Sequence, residues 1–327
     1  MCIRDRLYLP TGTDAEYFSP LEVAFGYRKQ FTKDSRAQLG ERLEELTLST
    51  RIPPFSTVSG FVLTNQSVGA KVVSIDLIGT RYAKNFNFVV INPDSVEGNI
   101  NYDRAMSLIA QIDTEDITDA TELRASIDAL PCCVTDSQGN AVAPMNIVVI
   151  GQPEAITTAL KRRNYHFKKA APRYLFGRDQ DLSGVKQAAW VDAQPHITRL
   201  WVAPFRYRCA PVWAGHIVMP LGGRFAGILA GDNDELIDPH VDIARLDFVQ
   251  DIIYSQKAAR LGFSSTVDQP DAQKDASVPT DSNYYTDGLR AIILLDEGNR
   301  TLEKVRFFDW ERLAEYGRST DSAADSR

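Results

Sequence analysis

Long apolar runs are missing from this 327-residue chain. No stretch reaches the ~18 uninterrupted apolar residues of a membrane-spanning helix. Excess basic charge is missing too: 36 Lys and Arg stand against 43 Asp and Glu, a net charge of −7. Such a chain has no general field to attract nucleic acid, and no nucleic-acid partner is expected. Cysteine and histidine are scarce, four of each. Cys132 and Cys133 are adjacent and Cys209 is far off, with no CxxC or Cys/His spacing for structural zinc. Either Cys132 or Cys133 bridges to Cys209, or these are buried thiols. Also absent are GxGxxG and GxxxxGK, the glycine patterns that cradle nucleotide phosphates, and GxSxG, which presents a nucleophilic serine. No cofactor is implied.

What is present is ordinary globular composition, 44% apolar and 24% charged, in a length that suits two domains at one per ~150 residues. The first six residues, MCIRDR, carry no apolar run, and the text after them reads as the middle of a domain. We therefore expect a non-native leader over residues 1–6 and a native start, with its anchor, upstream of this sequence. Residues 7–93 read as β-rich. VSGFVLT (58–64), GAKVVSIDLIG (69–79) and NFNFVVI (85–91) have strand patterns, and NQSVG (65–69) makes a hairpin turn between the first two. SRAQLGERLEELTLS (35–49) has a short helix pattern interrupted by Gly40. This part is expected to be an antiparallel β-sandwich, truncated at its start.

Residues 94–143 read as a helical bridge, with helices over 102–111 and 120–130. A mixed-sheet α+β domain is expected over residues 144–310. NIVVIG (146–151) is a continuous apolar strand, and Pro153 opens a helix at the position where a missing N–H costs least. The basic run KRRNYHFKK (161–169) reads as that helix's end, where cations complement the dipole, rather than as a phosphate patch. Strands are predicted over 197–202, 212–219 and 224–229, the last two as a hairpin through PLGG. Asp238-Pro239 starts the clearest helix, with Val241, Ala244, Phe248, Val249 and Ile252 as its apolar stripe. Residues 265–282 form a polar loop, 286–298 a buried strand, and 311–327 a disordered tail. The whole is an α+β chain of two domains.

The pieces NIVVIG, YLFGRDQD (174–181), RLWVAP (199–204), PVWAG (211–215), IDPHVDIARLDFVQDIIYS (237–255) and YYTDGLRAI (284–292) occur in an order that resembles the LssY-like C-terminal domain, a bacterial domain. The resemblance spans residues 144–295. Upstream, YFSPLEVAF and TVSGFVLTNQSVGAKVVSIDLIG resemble the part that precedes this domain in exported or membrane-anchored members. The resemblance implies a cell-envelope association and envelope or membrane components as partners. It implies no activity. Some members are joined to membrane phosphatases, but the Arg-Pro, PSGH and third histidine elements of that chemistry are missing here. His240 also departs from the acidic residue that the resemblance implies at that position.

Candidate site residues each have a plainer reading. Arg178, Gln180 and Asp181 could receive an anion, Arg178 as a bidentate donor, or could lock a turn. His196 could serve as a base or ligand, or as a hydrogen-bonded strand residue; Arg199 shares a strand face with Trp201. His216 is read in the same way on its own strand. Asp238 caps the helix, and Asp242 pairs with Arg245 at the surface. Asp238, His240 and Asp242 are metal-ligating types, although residues i and i+2 on a helix diverge by about 200°. Three functions follow. The first is an envelope protein that binds or scaffolds. The second is a hydrolase of phosphorylated or lipid-linked envelope material, with His196, Asp181 and Asp238 as catalytic groups beside Arg178. A third, a nucleotide-binding regulator, would depend on the turn at residues 151–153.

Overall fold

The computed structural model of the chain describes residues 2–8, 14–15, 23, 29, 31–49, 51–63, 70–79, 83–91, 102–111, 116–167, 170–186, 195–220, 237–265 and 284–310. An N-terminal antiparallel sheet comprises β1 (Cys2–Tyr8), β2 (Asp14–Ala15), β3 (Ala70–Ile78) and β4 (Ala83–Ile91), in the order β2-β1-β3-β4. Residues 2–6, read above as leader, lie within β1 and pair with β3 from Cys2↔Ile78 onward. Helix α1 (Lys33–Leu46) is capped by Thr32 and runs through Gly40 without a break. The predicted strand at 58–64 reduces to one bridge, Phe61 to Thr47. Phe61 spends its backbone groups on Leu46 and Leu48, and Gly60 permits that approach, since a Cβ there would lie 2.5 Å from the Leu48 nitrogen. The expected hairpin turn at 65–69 lies outside the described residues.

The rest of the chain supplies α2 (Tyr102–Gln111), β5 (Asp116–Ile117), α3 (Ala120–Asp128), β6 (Cys133–Thr135), β7 (Ala141–Pro144), β8 (Ile147–Ile150) and α4 (Pro153–Arg162). Then come β9 (Tyr165–His166), β10 (Tyr174–Leu175), β11 (Arg178–Asp179), β12 (Leu182–Lys186), β13 (His196–Tyr207), β14 (Ala210–Val218), α5 (Val241–Tyr254), β15 (Ala258–Ser265), β16 (Leu289–Leu295) and β17 (Arg306–Phe307). Nine strands make one mixed sheet in the order β17-β15-β16-β8-β14-β13-β12-β9, with β5 beside β13. A small sheet β11-β10-β6-β7 covers part of it. The molecule is thus α+β with a mixed central sheet.

Strand β8 explains the layering. All four of its residues are buried, as a strand covered on both faces requires. Ile147 and Val149 face a core shared with α4 and α5 through Ile156, Leu160, Phe248 and Ile252. Val148 and Ile150 face a second core with Leu123 and Ile127 of α3 and with Val134 of β6. Strand β8 pairs antiparallel with β14 on one edge and parallel with β16 on the other. The predicted partner strand at 224–229 lies outside the described residues, as do most of the polar loop and the tail; both edges of β14 are taken, by β13 and β8.

Two buried arginines tie down β16. Arg290 donates to the carbonyls of Ile127, Leu130, Pro131 and Met145 at 2.6–3.2 Å, which satisfies the open C-terminal end of α3. Arg245 of α5 reaches Asp242, both oxygens of Asp287 and the Leu289 carbonyl. The Asp242–Arg245 pair is therefore present, but Arg245 is 2% exposed and the pair is not a surface one. Cys132 and Cys133 are bonded to each other, which removes both from any bridge to Cys209. Cys209 is exposed and faces Asp116.

Candidate functional site

The sequence candidates occupy three separate places. On the β6–β7 side of the central sheet, Arg178 Nε and Nη2 donate to Asp181 at 3.3 and 3.0 Å. Asp181 also accepts the Val202 N–H at 2.9 Å, and Arg178 reaches the Val202 carbonyl at 2.6 Å. Gln180 ties its own loop together, accepting from the Arg173 N–H and donating to the carbonyls of Ala170 and Ala171. Arg199 is fully buried; it donates to Ala171 O at 3.1 Å and meets His216 Nε2 at 2.9 Å. Because a guanidinium only donates, His216 must accept there and is neutral. Burial, with Arg199 and Arg173 nearby, holds its pKa well below the usual histidine value.

On the opposite face, His196 meets Asp247 of α5 at 3.2 Å. Burial and the Lys186 ammonium lower its pKa more than Asp247 raises it. Beside it, Asp251 accepts from Arg163, Tyr165 and Lys186 at 2.6–3.1 Å. Arg163 thus leaves the basic run for an internal ion pair, and Arg162 turns inward onto the carbonyl, amide and hydroxyl groups described below.

The third place is the start of α5. Asp238 accepts the His240 N–H at 2.9 Å, so it closes a turn before the helix; the N-cap position falls to His240, whose side chain does not cap. His240 stacks on Tyr285. Asp242 accepts from Arg245, Thr286 and the Asp287 N–H. No three His, Cys, Asp or Glu side chains among the described residues gather to hold one ion.

The concave feature that stands out lies elsewhere. A crevice of about 790 Å³ opens where the parallel strands β8 and β16 end. Ligand sites in sheets with parallel strands favour this position, outside the carboxyl ends of the strands. One wall is the start of α4, with Gln152, Glu154, Ala155 and Thr158. The floor is Lys257 and residues 296–299, and the far wall is the edge strand β4 with Asn85, Phe86 and Asn87. Gly151 sets the turn after β8; a Cβ there would lie 2.9 Å from the Leu295 Cβ.

Behind the floor, Arg162 holds two of the lining residues, Asn87 and Asn299. It is 6% exposed and donates to Ser255 O, Asn299 Oδ1, Asn87 Oδ1 and Ser74 Oγ. One cation thus joins α4, the end of α5, the loop after β16 and the N-terminal sheet. Lys257 donates to the carbonyls of Glu297 at 2.5 Å and Gly298 at 3.1 Å. Burial first, then Arg162, pulls its pKa down to about 7. Asp296 is held below the usual carboxylate range by Arg300, the Gly298 N–H and Lys257, against its partial burial. Thr158 borders the crevice, but its hydroxyl, like that of Thr157, is buried away from the opening and makes no hydrogen bond.

The strand–Gly–Gln–Pro–helix pattern at residues 151–153 was the one sequence signal at this place. Nothing in the sequence connects it with residues 76–87, Lys257 or 296–299, which only the fold brings together.

Residues 170–289 match the sequence model of the family described as LssY C-terminus. The chain therefore resembles that family from the small sheet to the first residue of β16. No curated protein and no solved structure matches the chain.

Proposed function

We propose that this protein is a binding module of the bacterial cell envelope that holds a small ligand in the crevice between the N-terminal sheet and the start of α4. The observation that carries the reading is the crevice itself: about 790 Å³, inside the ~300–1,000 Å³ span of small-molecule sites. It is walled by polar groups from four separate parts of the chain. The envelope assignment, and envelope or membrane components as partners, rest on the family resemblance. In this reading the chain has two modules, and the N-terminal sheet is one layer of a sandwich.

The hydrolase reading needs Arg178, Asp181, His196 and Asp238 around one opening. Arg178 and Asp181 are instead spent on each other and on Val202, His196 faces α5, and Asp238 closes a backbone turn. Groups held in this way favour a binding role over general acid–base chemistry.

The test is co-sedimentation of the purified chain with isolated bacterial envelopes. Ala83 is exposed on β4 and borders the crevice, so Ala83→Trp fills the opening without disturbing a core. The wild type is expected in the envelope pellet, and the variant, with an unchanged melting temperature, is expected to lose most of that binding. Wild-type protein that stays in the supernatant, or a variant that pellets equally well, overturns the reading.

A further inference from the structure

We infer that the outer face of α5 is a self-association surface, on which a second copy of this chain packs its own α5 antiparallel. The first ground is that α5 is apolar on two sides. Val241, Ala244, Phe248, Val249 and Ile252 turn inward to the cores. The outward positions Ile243, Leu246, Gln250 and Tyr254 follow one another at steps of three and four residues, so they form one stripe. Ile243, Leu246 and Tyr254 are 50%, 52% and 57% exposed. None of the four is charged. Asp247, at the margin of the stripe, is held by His196. A helix that is apolar all round is ordinarily covered all round.

The second ground is area. His240 and Tyr285 stack on each other and extend the stripe beyond the first turn of α5, and Tyr285 is 38% exposed. The exposed parts of Tyr254 and Tyr285 alone offer roughly 200 Å², since a whole aromatic side chain buries ~150–250 Å². Ile243 and Leu246 add to this. The stripe suits the small, reversible class of interface, under about 600 Å² on each side, rather than the standard ~800 Å².

The third ground is charge, which selects both the partner and its direction. At the N-terminal end of α5 the carboxylates of Asp238, Asp242 and Asp287 lie beside the guanidinium of Arg245. At the C-terminal end Arg163 lies over the Tyr254 ring, and Arg163 and Lys186 share the carboxylate of Asp251. One end of the stripe is thus net negative and the other net positive. An antiparallel second copy sets each acidic end against a basic end and also opposes the two helix dipoles. Twofold symmetry uses that complementary pair of ends twice. A parallel copy brings like ends together. An anionic lipid surface meets repulsion at the acidic end.

The experiment uses the full 327-residue chain in sedimentation velocity, over a concentration series up to about 100 μM, where a contact of this class is populated. A reversible monomer–dimer equilibrium is expected. Leu246→Arg sets a charge in the stripe without entering a core, and it is expected to weaken dimerisation at least tenfold with an unchanged circular dichroism spectrum. Direction is read by disulfide trapping in a Cys209→Ser background, which removes the exposed native thiol. Chains with Ile243→Cys are mixed with chains with Tyr254→Cys and oxidised in air. Mixed disulfides are expected to exceed either homodimeric bridge, because a bridge needs Cα atoms within about 7 Å. Homodimeric bridges in excess overturn the antiparallel arrangement. A chain that stays monomeric, or a dimer that Leu246→Arg leaves intact, overturns the inference. For a monomeric chain, flotation of the wild type but not of Leu246→Arg with phosphatidylethanolamine–phosphatidylglycerol vesicles assigns the stripe to lipid instead. None of the changed residues borders the crevice, so this outcome is independent of the ligand-binding reading above.

Discussion

His196 and His216 lie on opposite faces of the central sheet, and both are held neutral. Each has a folded pKa below its ordinary 6.5. In the window between the folded pKa and 6.5 the unfolded chain therefore binds protons that the folded chain does not, and stability is lost as pH falls through it. His216 is set by burial and by Arg199 and Arg173, and His196 by burial and Lys186 against Asp247 and Asp251. His216→Gln keeps an acceptor for Arg199 and removes the titration. The wild type is expected to lose urea resistance between pH 7 and pH 5, and the variant is expected to lose less. Equal losses would show that carboxylate protonation elsewhere accounts for the whole effect. At this scale the sequence was partly legible. The Arg178–Asp181 lock was one of the two readings the sequence left open, and it could be named at all because partners three residues apart need no tertiary information. The neutrality of His216 was not legible, since Arg199 reaches it only through the β13–β14 register.

Elements whose pattern lies within one segment were read well. Helix α2 matches its predicted span, α4 begins at its proline, and the continuous apolar run of β8 is central in the sheet. The strand predicted at 58–64 was misread because alternation specifies a face and not a partner; Phe61 found the end of α1 instead of a ladder. The cap of α5 slipped from Asp238 to His240 because residues 239 and 240 are held in a backbone bridge to Tyr285 before the helix begins, a contact no local pattern announces. At the crevice the turn after β8 packs against the end of β16. Gly151→Ala places a methyl 2.9 Å from the Leu295 Cβ, and the two strand ends must separate. Overpacking of this kind costs about 1–3 kcal/mol. Chemical denaturation is expected to show a loss of that size for Gly151→Ala. A neutral Gly151→Ala would mean that the turn yields without strain.

Across the whole molecule, the N-terminal sheet and the central sheet are joined through Arg162, whose guanidinium reaches Ser74 and Asn87 on one side and Ser255 and Asn299 on the other. Arg162→Met keeps the length of the side chain and removes every one of these bonds. Hydrogen exchange is expected to speed up in β3 and β4 while β8 and β14, deep in the central sheet, stay protected. Uniform acceleration across all four strands would show instead that the cation supports the central core. The crevice was illegible in the sequence for the same reason that Arg162 was: its walls are separated by up to about two hundred residues and meet only when both sheets are in place.

The position of β8 has one more consequence. The family match begins at residue 170, while β8 ends at Ile150, yet β8 lies between β14 and β16. The recognisable stretch and the foldable unit of this chain are therefore different lengths. A polypeptide cut to residues 170–289 would keep β13 and β14 but would lose the strand next to them and all but the first residue of β16. It would present a bare, flat, apolar sheet edge of the kind that recruits other chains. Boundaries for any excised version follow from the sheet, with residue 144 or earlier as the start, and not from the extent of the likeness.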